Sequence, residues 1–177
     1  GIYVYKGMRW RDLPSIFVQT GTTTGMVMVM LLVIMIVSRY FVMADLPGMM
    51  GDFLLSISTE KYAILLMCNI FMIIIGMLMD DVSGILLCTP LLLPLMKDIG
   101  VSPVHFAAII GVNLGMGNVT PPTAPVLYLG CRMTGASLNK TVSPTLVMLI
   151  FAWLPTLIIT TYVPAVSLFL PKLFGYV

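Results

Sequence analysis

Asn113-Leu-Gly-Met-Gly-Asn-Val-Thr-Pro-Pro-Thr-Ala-Pro125 is a helix-breaking run set between two apolar segments. Pro121 and Pro122 remove two backbone donors in succession, and each pushes the residue before it toward extended geometry. No helix passes smoothly through Thr120-Pro121-Pro122. Upstream, Ser102-Pro103 reads as a helix start, with Ser as N-cap and Pro at the first helical position. The pattern predicts a helix from there to about Gly115, a break, and a resumed helix from near Thr123 to about Met133.

The surroundings of this run are those of a membrane chain. Of 177 residues, 59% are hydrophobic and 9% charged, whereas a soluble domain carries about 25% charged residues. Charge is absent from Leu13–Ser38, Tyr62–Met79, Val82–Met96 and Thr141–Pro171. A crossing helix needs about 20 apolar residues, so the first and last stretches are long enough, and Val82–Met96 is short. A net charge of +2 with no basic run interleaved with aromatics gives no support to nucleic-acid binding. Cys68, Cys88 and Cys131 lack metal-ligand spacing and read as packing residues. The methionines read as lipid-facing or gap-filling. Starting at Gly1, on what looks like a helix end (Ile2–Tyr5), the chain reads as a fragment or one half of a longer protein.

Along the chain, Lys6, Arg9 and Arg11 with Trp10 form a short basic loop, expected on the cytoplasmic side. A first crossing comes next, from about Ser15 to Val42. Its Thr20-Gly-Thr-Thr-Thr-Gly25 patch suits close helix packing or a cavity wall. Arg39 near the outer end can snorkel. Asp45–Glu60 has apolar residues at helical spacing and reads as an amphipathic interfacial helix. Lys61–Met79 is a strongly apolar helix ending at Asp80-Asp81-Val82-Ser83-Gly84. That acidic pair is either a loop at the far membrane face or the tip of a re-entrant hairpin, and the shortness of Ile85–Met96 favours the hairpin. The last crossing, about Val142–Leu170, contains Pro144, Pro155 and Pro164, so kinks are expected. Arg132 and Lys140 would lie inside, and Lys61, Lys97 and Lys172 outside. Four regions result: 1–60, a scaffold-like helix plus amphipathic linker; 61–100, a hairpin; 101–140, the broken helix and its loop; and 141–177, the C-terminal crossing.

Irregular backbone at membrane depth is tolerated only inside protein or beside a water-filled cavity. A broken apolar helix therefore points to a transporter's binding site. The half ending near Asn113–Gly117 presents free carbonyls and partial negative charge, which suits a cation such as Na+. The half starting after Thr120-Pro121-Pro122 presents N–H groups, which suit a substrate carboxylate. Gly115 and Gly117 let backbone fold tightly around an ion. Asn113, Asn118 and Thr120 add side-chain oxygens. Candidate sodium ligands are thus Asp80, Asp81, Gly115, Gly117, Asn118, Val119 and Thr120. Candidate substrate residues are Thr120, Pro122, Thr123, Asp81 and Ser83. An ionised carboxylate at mid-bilayer costs roughly 2.5–3.5 kcal/mol on insertion scales, which a cation or hydrogen-bond partner must offset. His105 reads as packed rather than as a proton relay, and Asn69 as inter-helix glue rather than a ligand. No nucleophile–base pairing forms around the single His, so catalysis is not expected.

Four segments jointly resemble the large membrane subunit (M) of tripartite ATP-independent periplasmic (TRAP) transporters, over essentially the whole chain. They are Trp10-Arg-Asp-Leu13; Gly76-Met-Leu-Met-Asp80 followed by Thr89-Pro-Leu-Leu-Leu-Pro94; Gly100-Val-Ser-Pro-Val-His-Phe106; and Asn113-Leu-Gly-Met-Gly-Asn-Val-Thr-Pro-Pro122. The resemblance implies the C-terminal half of an all-α, inverted-repeat, elevator-type importer in the bacterial inner membrane, multi-pass and driven by Na+. It implies dicarboxylates, sugar acids or sialic acids as substrates, a periplasmic substrate-binding protein (P) that delivers them, and a small membrane subunit (Q). Asp80–Gly84 would be a hairpin tip, and Asn113–Pro122 the unwound stretch. Thr123-Ala124-Pro125 departs from the family's usual Gly after the proline pair, and Asp81 stands where neutral residues are common. Rival expectations are a stand-alone sodium/anion symporter and a structural membrane subunit. An intramembrane aspartyl protease would need aspartates on separate helices, which adjacent Asp80 and Asp81 do not supply.

Overall fold

The computed structural model describes residues 9–121 and 124–175. Lys6, Ile2–Tyr5, Pro122 and Thr123 lie outside the described residues. Among those described, regular structure is helical throughout.

A single 3-10 turn, Trp10–Asp12, is closed by the Arg9 N–H donating to Asp12 Oδ2 at 3.0 Å. Helix α1 (Leu13–Met43) comes next, with Pro14 in its first turn, where no N–H is needed. Its 31 residues span about 46 Å at 1.5 Å per residue, more than a bilayer core of about 30 Å. None of its residues is buried. The Thr22 and Thr23 hydroxyls donate back to the Val18 and Gln19 carbonyls, and open space surrounds Gly21 and Gly25. The Thr20–Gly25 patch is exposed, and its two glycines meet no neighbour. Asp45, at φ 55°, turns the backbone into α2 (Leu46–Ile57), which packs on the fourth helix and buries Leu54.

Helices α3 (Lys61–Leu78) and α4 (Asp81–Asp98) form a hairpin closed at Met79–Asp80. Its open ends meet where Lys61 Nζ donates to the Gly100 carbonyl at 3.1 Å. Here the structure corrects the sequence pattern. Asp81–Gly84 is not a loop but the first turn of α4, so this arm has 18 residues, as many as α3. Asp80 is the N-cap and Asp81 favours the positive helix end. Pro90 and Pro94 sit inside the helix without ending it.

Ser102 caps α5 (Pro103–Gly117), its hydroxyl accepting from the His105 N–H at 3.2 Å. After the break, α6 (Pro125–Thr134) runs to Gly135, whose φ of 71° ends it. A continuous rod then comprises α7 (Leu138–Met148), a π-helical segment (Leu149–Trp153) and α8 (Leu154–Tyr162). The expected crossing over Val142–Leu170 is corrected too: the rod stops at Tyr162, and Pro164 opens a separate α9 (Pro164–Leu173). Pro164 has no N–H to give the Thr160 carbonyl four residues back, and it serves instead as a first-turn residue.

Three stretches among the described residues are long and apolar enough to cross a membrane: Trp10–Met43, Lys61–Leu78 and Leu138–Tyr162. One core joins Leu54, the hairpin and the first half of α5, through Ile64, Met72, Leu92, Met96, Phe106 and Ile109. A second, at the far end of α5, gathers Met116, Leu149 and Leu157 with Ile73, Val112, Val119 and Trp153. The fold thus holds both sides of the α5 terminus: the hairpin tip on one, the π segment on the other.

Candidate functional site

The hairpin tip meets the helix break through glycines. A Cβ on Gly117 would collide with the backbone carbonyl group of Gly76. A Cβ on Gly76 would come within 3.2 Å of Gly117 Cα, and one on Gly84 within 3.0 Å of the Leu114 side chain. The C-terminal end of α3, the first turn of α4 and the last turn of α5 therefore lie in close contact. Small residues at such a crossing are what allow it.

At the tip, Asp80 is fully engaged. Its Oδ2 accepts from the Ser83 N–H at 3.1 Å and its Oδ1 from the Ser83 hydroxyl at 2.6 Å. Asp81 Oδ1 accepts from the Val82 N–H at 2.9 Å. The chain's own carboxylates thus occupy the donors of the first turn of α4. Ser83, a candidate substrate residue, gives both its donors to Asp80.

At the break, the last turn of α5 tightens. An uninterrupted helix would give the Val119 N–H to the Gly115 carbonyl; here it goes to the Met116 carbonyl at 3.3 Å. Thr120 N–H bonds the Gly117 carbonyl at 3.0 Å, and the Thr120 hydroxyl donates to the Met116 carbonyl at 2.7 Å, leaving its lone pairs as acceptors. Across the break, the Val126 N–H donates to the Asn118 carbonyl at 3.2 Å. That bond ties the two half-helices together. It also takes one of the early donors of α6, while Pro125 has none, so this end offers an anion fewer N–H groups than its position suggests. Of the other candidate substrate residues, Thr120 and Asp81 stand at the break and the tip, and Pro122 and Thr123 fall outside the described residues.

Two side-chain oxygens are left over. Asn113 is 0% exposed and Asn118 9% exposed, and the Oδ1 of each has no hydrogen-bond donor among the described residues. The Asn113 amide nitrogen is satisfied, donating to Asn69 Oδ1 at 2.8 Å and to the Ile109 carbonyl at 3.1 Å. Asn69 in turn donates to Thr161 Oγ1 at 3.0 Å. This chain of amides joins α3, α5 and α8, which is the inter-helix role expected for Asn69. His105 is buried, with Nε2 2.8 Å from the Thr160 carbonyl that Pro164 leaves without its helical donor. The Ser167 hydroxyl reaches the same carbonyl at 3.1 Å. The histidine satisfies a proline-freed acceptor.

The oxygens at the break are neutral: the Asn118 amide, the Gly115 carbonyl and the Thr120 hydroxyl, with the Asn113 amide about a turn further back in α5. No group of three or more His, Cys, Asp and Glu side chains forms among the described residues. Such a set suits a hard cation and not a soft transition metal. Gly76, Gly84 and Trp153 do not stand out in the sequence pattern, because a glycine's neighbours and a π register are tertiary facts.

A family model described as "Tripartite ATP-independent periplasmic transporter, DctM component" matches residues 1–166. The chain is 34% identical over 169 residues to the isethionate TRAP transporter permease protein DctMQ of Oleidesulfovibrio alaskensis, covering 96% of this chain and 26% of that protein. It is 30% identical to the C4-dicarboxylate TRAP transporter large permease protein DctM of Pseudomonas aeruginosa, covering 98% of this chain and 40% of that protein. It is also 30% identical to the sialic acid TRAP transporter large permease protein SiaM of Vibrio cholerae, covering 99% and 41%. The chain spans between about a quarter and two fifths of the length of these relatives. It belongs to the DctM family of membrane-embedded transporter permease components, and that family is not one of enzymes.

Proposed function

We propose that this chain forms the C-terminal half of a permease that imports an organic acid across the bacterial inner membrane, coupled to sodium. The observation that supports the reading is that two buried amide oxygens, Asn118 Oδ1 at the helix break and Asn113 Oδ1 a turn before it, have no donor among the described residues. A buried acceptor without a donor costs about 1–3 kcal/mol, and a cation bound there offsets that cost. The freed Gly115 carbonyl and the Thr120 hydroxyl add oxygens of the same kind. Gly117 contributes by its missing Cβ, which brings the hairpin tip against the break, and Val119 by turning its N–H away from Gly115.

In this reading Asp80 and Asp81 hold the tip of α4 in shape and place negative charge near the ion, rather than standing as bare ligands. The substrate carboxylate binds across the break, toward the start of α6 with Thr120, Pro122 and Thr123. Sodium entering first would brace the tip against α5 and complete the surface that meets the acid. The hairpin is then re-entrant, and hairpin, α5 and α6 move together past α1 as an elevator. Dicarboxylates, sugar acids and sialic acids are the substrate classes in view. A periplasmic binding protein would deliver the acid, and a small membrane subunit would brace the scaffold.

Uptake of labelled organic acids into proteoliposomes containing the complete permease tests this. An inward sodium gradient and the binding protein should both be required. Sodium-driven uptake without the binding protein would mean a stand-alone symporter. Uptake indifferent to sodium for every acid would return the break to a structural kink.

A further inference from the structure

Behind the break, the π segment of the rod, Leu149–Trp153, ends two residues before Pro155. Pro155 cannot donate to the Phe151 carbonyl and its ring crowds that carbonyl, so the helix widens there. One extra residue in a turn rotates the upstream part of the rod by about 100° relative to the downstream part. The outcome is that Trp153 faces α5. Its indole N–H donates to the Val112 carbonyl at 3.0 Å, and its Cζ2 lies 3.3 Å from where a Cβ on Gly115 would stand.

Both contacts fall on the turn whose carbonyls matter. Val112 begins the turn that ends at Gly115, and Gly115 is the residue whose carbonyl loses the Val119 N–H. A donor arriving from the side draws a carbonyl away from the helix ladder. The ring against Gly115 fixes the position of that last helical turn, beyond which the Val119 N–H turns to Met116. Trp153 belongs to the same apolar cluster as Met116 and Val119, so ring and helix end form one packed unit. Its other side borders a groove lined by Gly111, Val112, Ala152 and Thr156.

We propose that Trp153 is a positioning residue for the freed Gly115 carbonyl, and thereby sets how tightly the end of α5 holds sodium. The proposal rests on the sodium reading and adds the side chain that keeps that end in shape. Trp153 does not touch the ion; it acts through Val112 and Gly115.

The test uses the complete permease complex, with sodium titrated against choline at constant ionic strength. Half-saturating sodium is read twice: from the sodium-dependent rise in Tm without substrate, and from uptake. Trp153→Phe keeps an aromatic ring but loses the indole N–H. It should raise half-saturating sodium roughly fivefold, the scale of one hydrogen bond, with maximal uptake at saturating sodium unchanged. Gly115→Ala, whose Cβ presses on the ring, should shift it in the same direction. Thr156→Ala, in the groove with its hydroxyl donating to the Ala152 carbonyl of its own rod, should leave it unmoved. Wild-type protein whose Tm and uptake ignore sodium would sink the sodium reading and this proposal with it. Sodium-dependent wild type with unshifted Trp153→Phe would overturn the proposal alone, as would a loss of maximal uptake without a sodium shift. Should Trp153→Phe fail to fold, an unshifted Gly115→Ala would do the same.

Discussion

Proline inside an apolar helix leaves one carbonyl without its donor, and each such carbonyl must find another in a medium without water. Pro90 frees the Leu86 carbonyl, and the Ser38 hydroxyl of α1 donates to it at 2.9 Å. Pro164 frees the Thr160 carbonyl, and His105 and Ser167 take it. Side chains that look like isolated polar residues in apolar helices are therefore paired with particular prolines elsewhere. This pairing makes a sharp prediction at residue scale. Ser38→Ala should destabilise the protein by about 0.5–1.5 kcal/mol, the usual net worth of one hydrogen bond. In a Pro90→Ala background the same substitution should cost almost nothing, because the backbone N–H restored at position 90 can satisfy the Leu86 carbonyl. A double-mutant cycle on the thermal unfolding of the purified permease measures this coupling. Equal losses in both backgrounds would mean that Ser38 contributes only shape.

Elements are placed by their ends as much as by their apolar faces. The start of α5 is legible in the sequence because Ser102 and Pro103 are local signals that act where they stand. The start of α4 is not, because Asp81-Val-Ser-Gly84 is polar and looks like a loop. It is helix because Asp80 caps it, and a count of apolar residues is blind to a capped polar turn. Pro155 and Pro164 look alike in the sequence, yet one widens a continuing helix and the other opens a new one; the difference lies in what receives the freed carbonyl. The crossing of α3 and α5 is equally invisible, since nothing marks Gly76 and Gly117 as partners until the helices meet. The contact between them fixes an expectation for the elements. Gly117→Ala should cost more than about 2 kcal/mol, the range of overpacking where only backbone can yield, and should abolish sodium-dependent uptake. Gly111→Ala, with open space around it, is the matched control and should be tolerated. Thermal unfolding and uptake of the two variants side by side decide it, and a Gly117→Ala protein as stable and active as the control would show that tip and break are not locked together.

For the whole molecule, the membrane class and the position of the break can be read from composition and from Pro121-Pro122, because both depend on what lipid forbids. The depth of the hairpin cannot, because arms of 18 residues reach about 27 Å, close to a core thickness of about 30 Å. Length alone leaves the tip near the far interface or inside the protein. The re-entrant reading proposed above places it in the interior. Asp80 caps α4 through Ser83, and the tip lies against the end of α5, an arrangement that either depth allows. Cysteine labelling in a permease lacking native cysteines separates the alternatives. Single cysteines at Glu60 and Asp98, at the open ends of the hairpin, should react with a membrane-impermeant maleimide from the same side. On that reading a cysteine at Met79 should react slowly from either side, and more slowly still with sodium present, since the proposed site would tighten the tip against α5. Fast, sodium-insensitive labelling at Met79 from the face opposite Glu60 would make the hairpin a pair of ordinary crossing helices. The acidic pair would then be a solvated helix start, and the cation site proposed at the end of α5 would lack a tip closing over it.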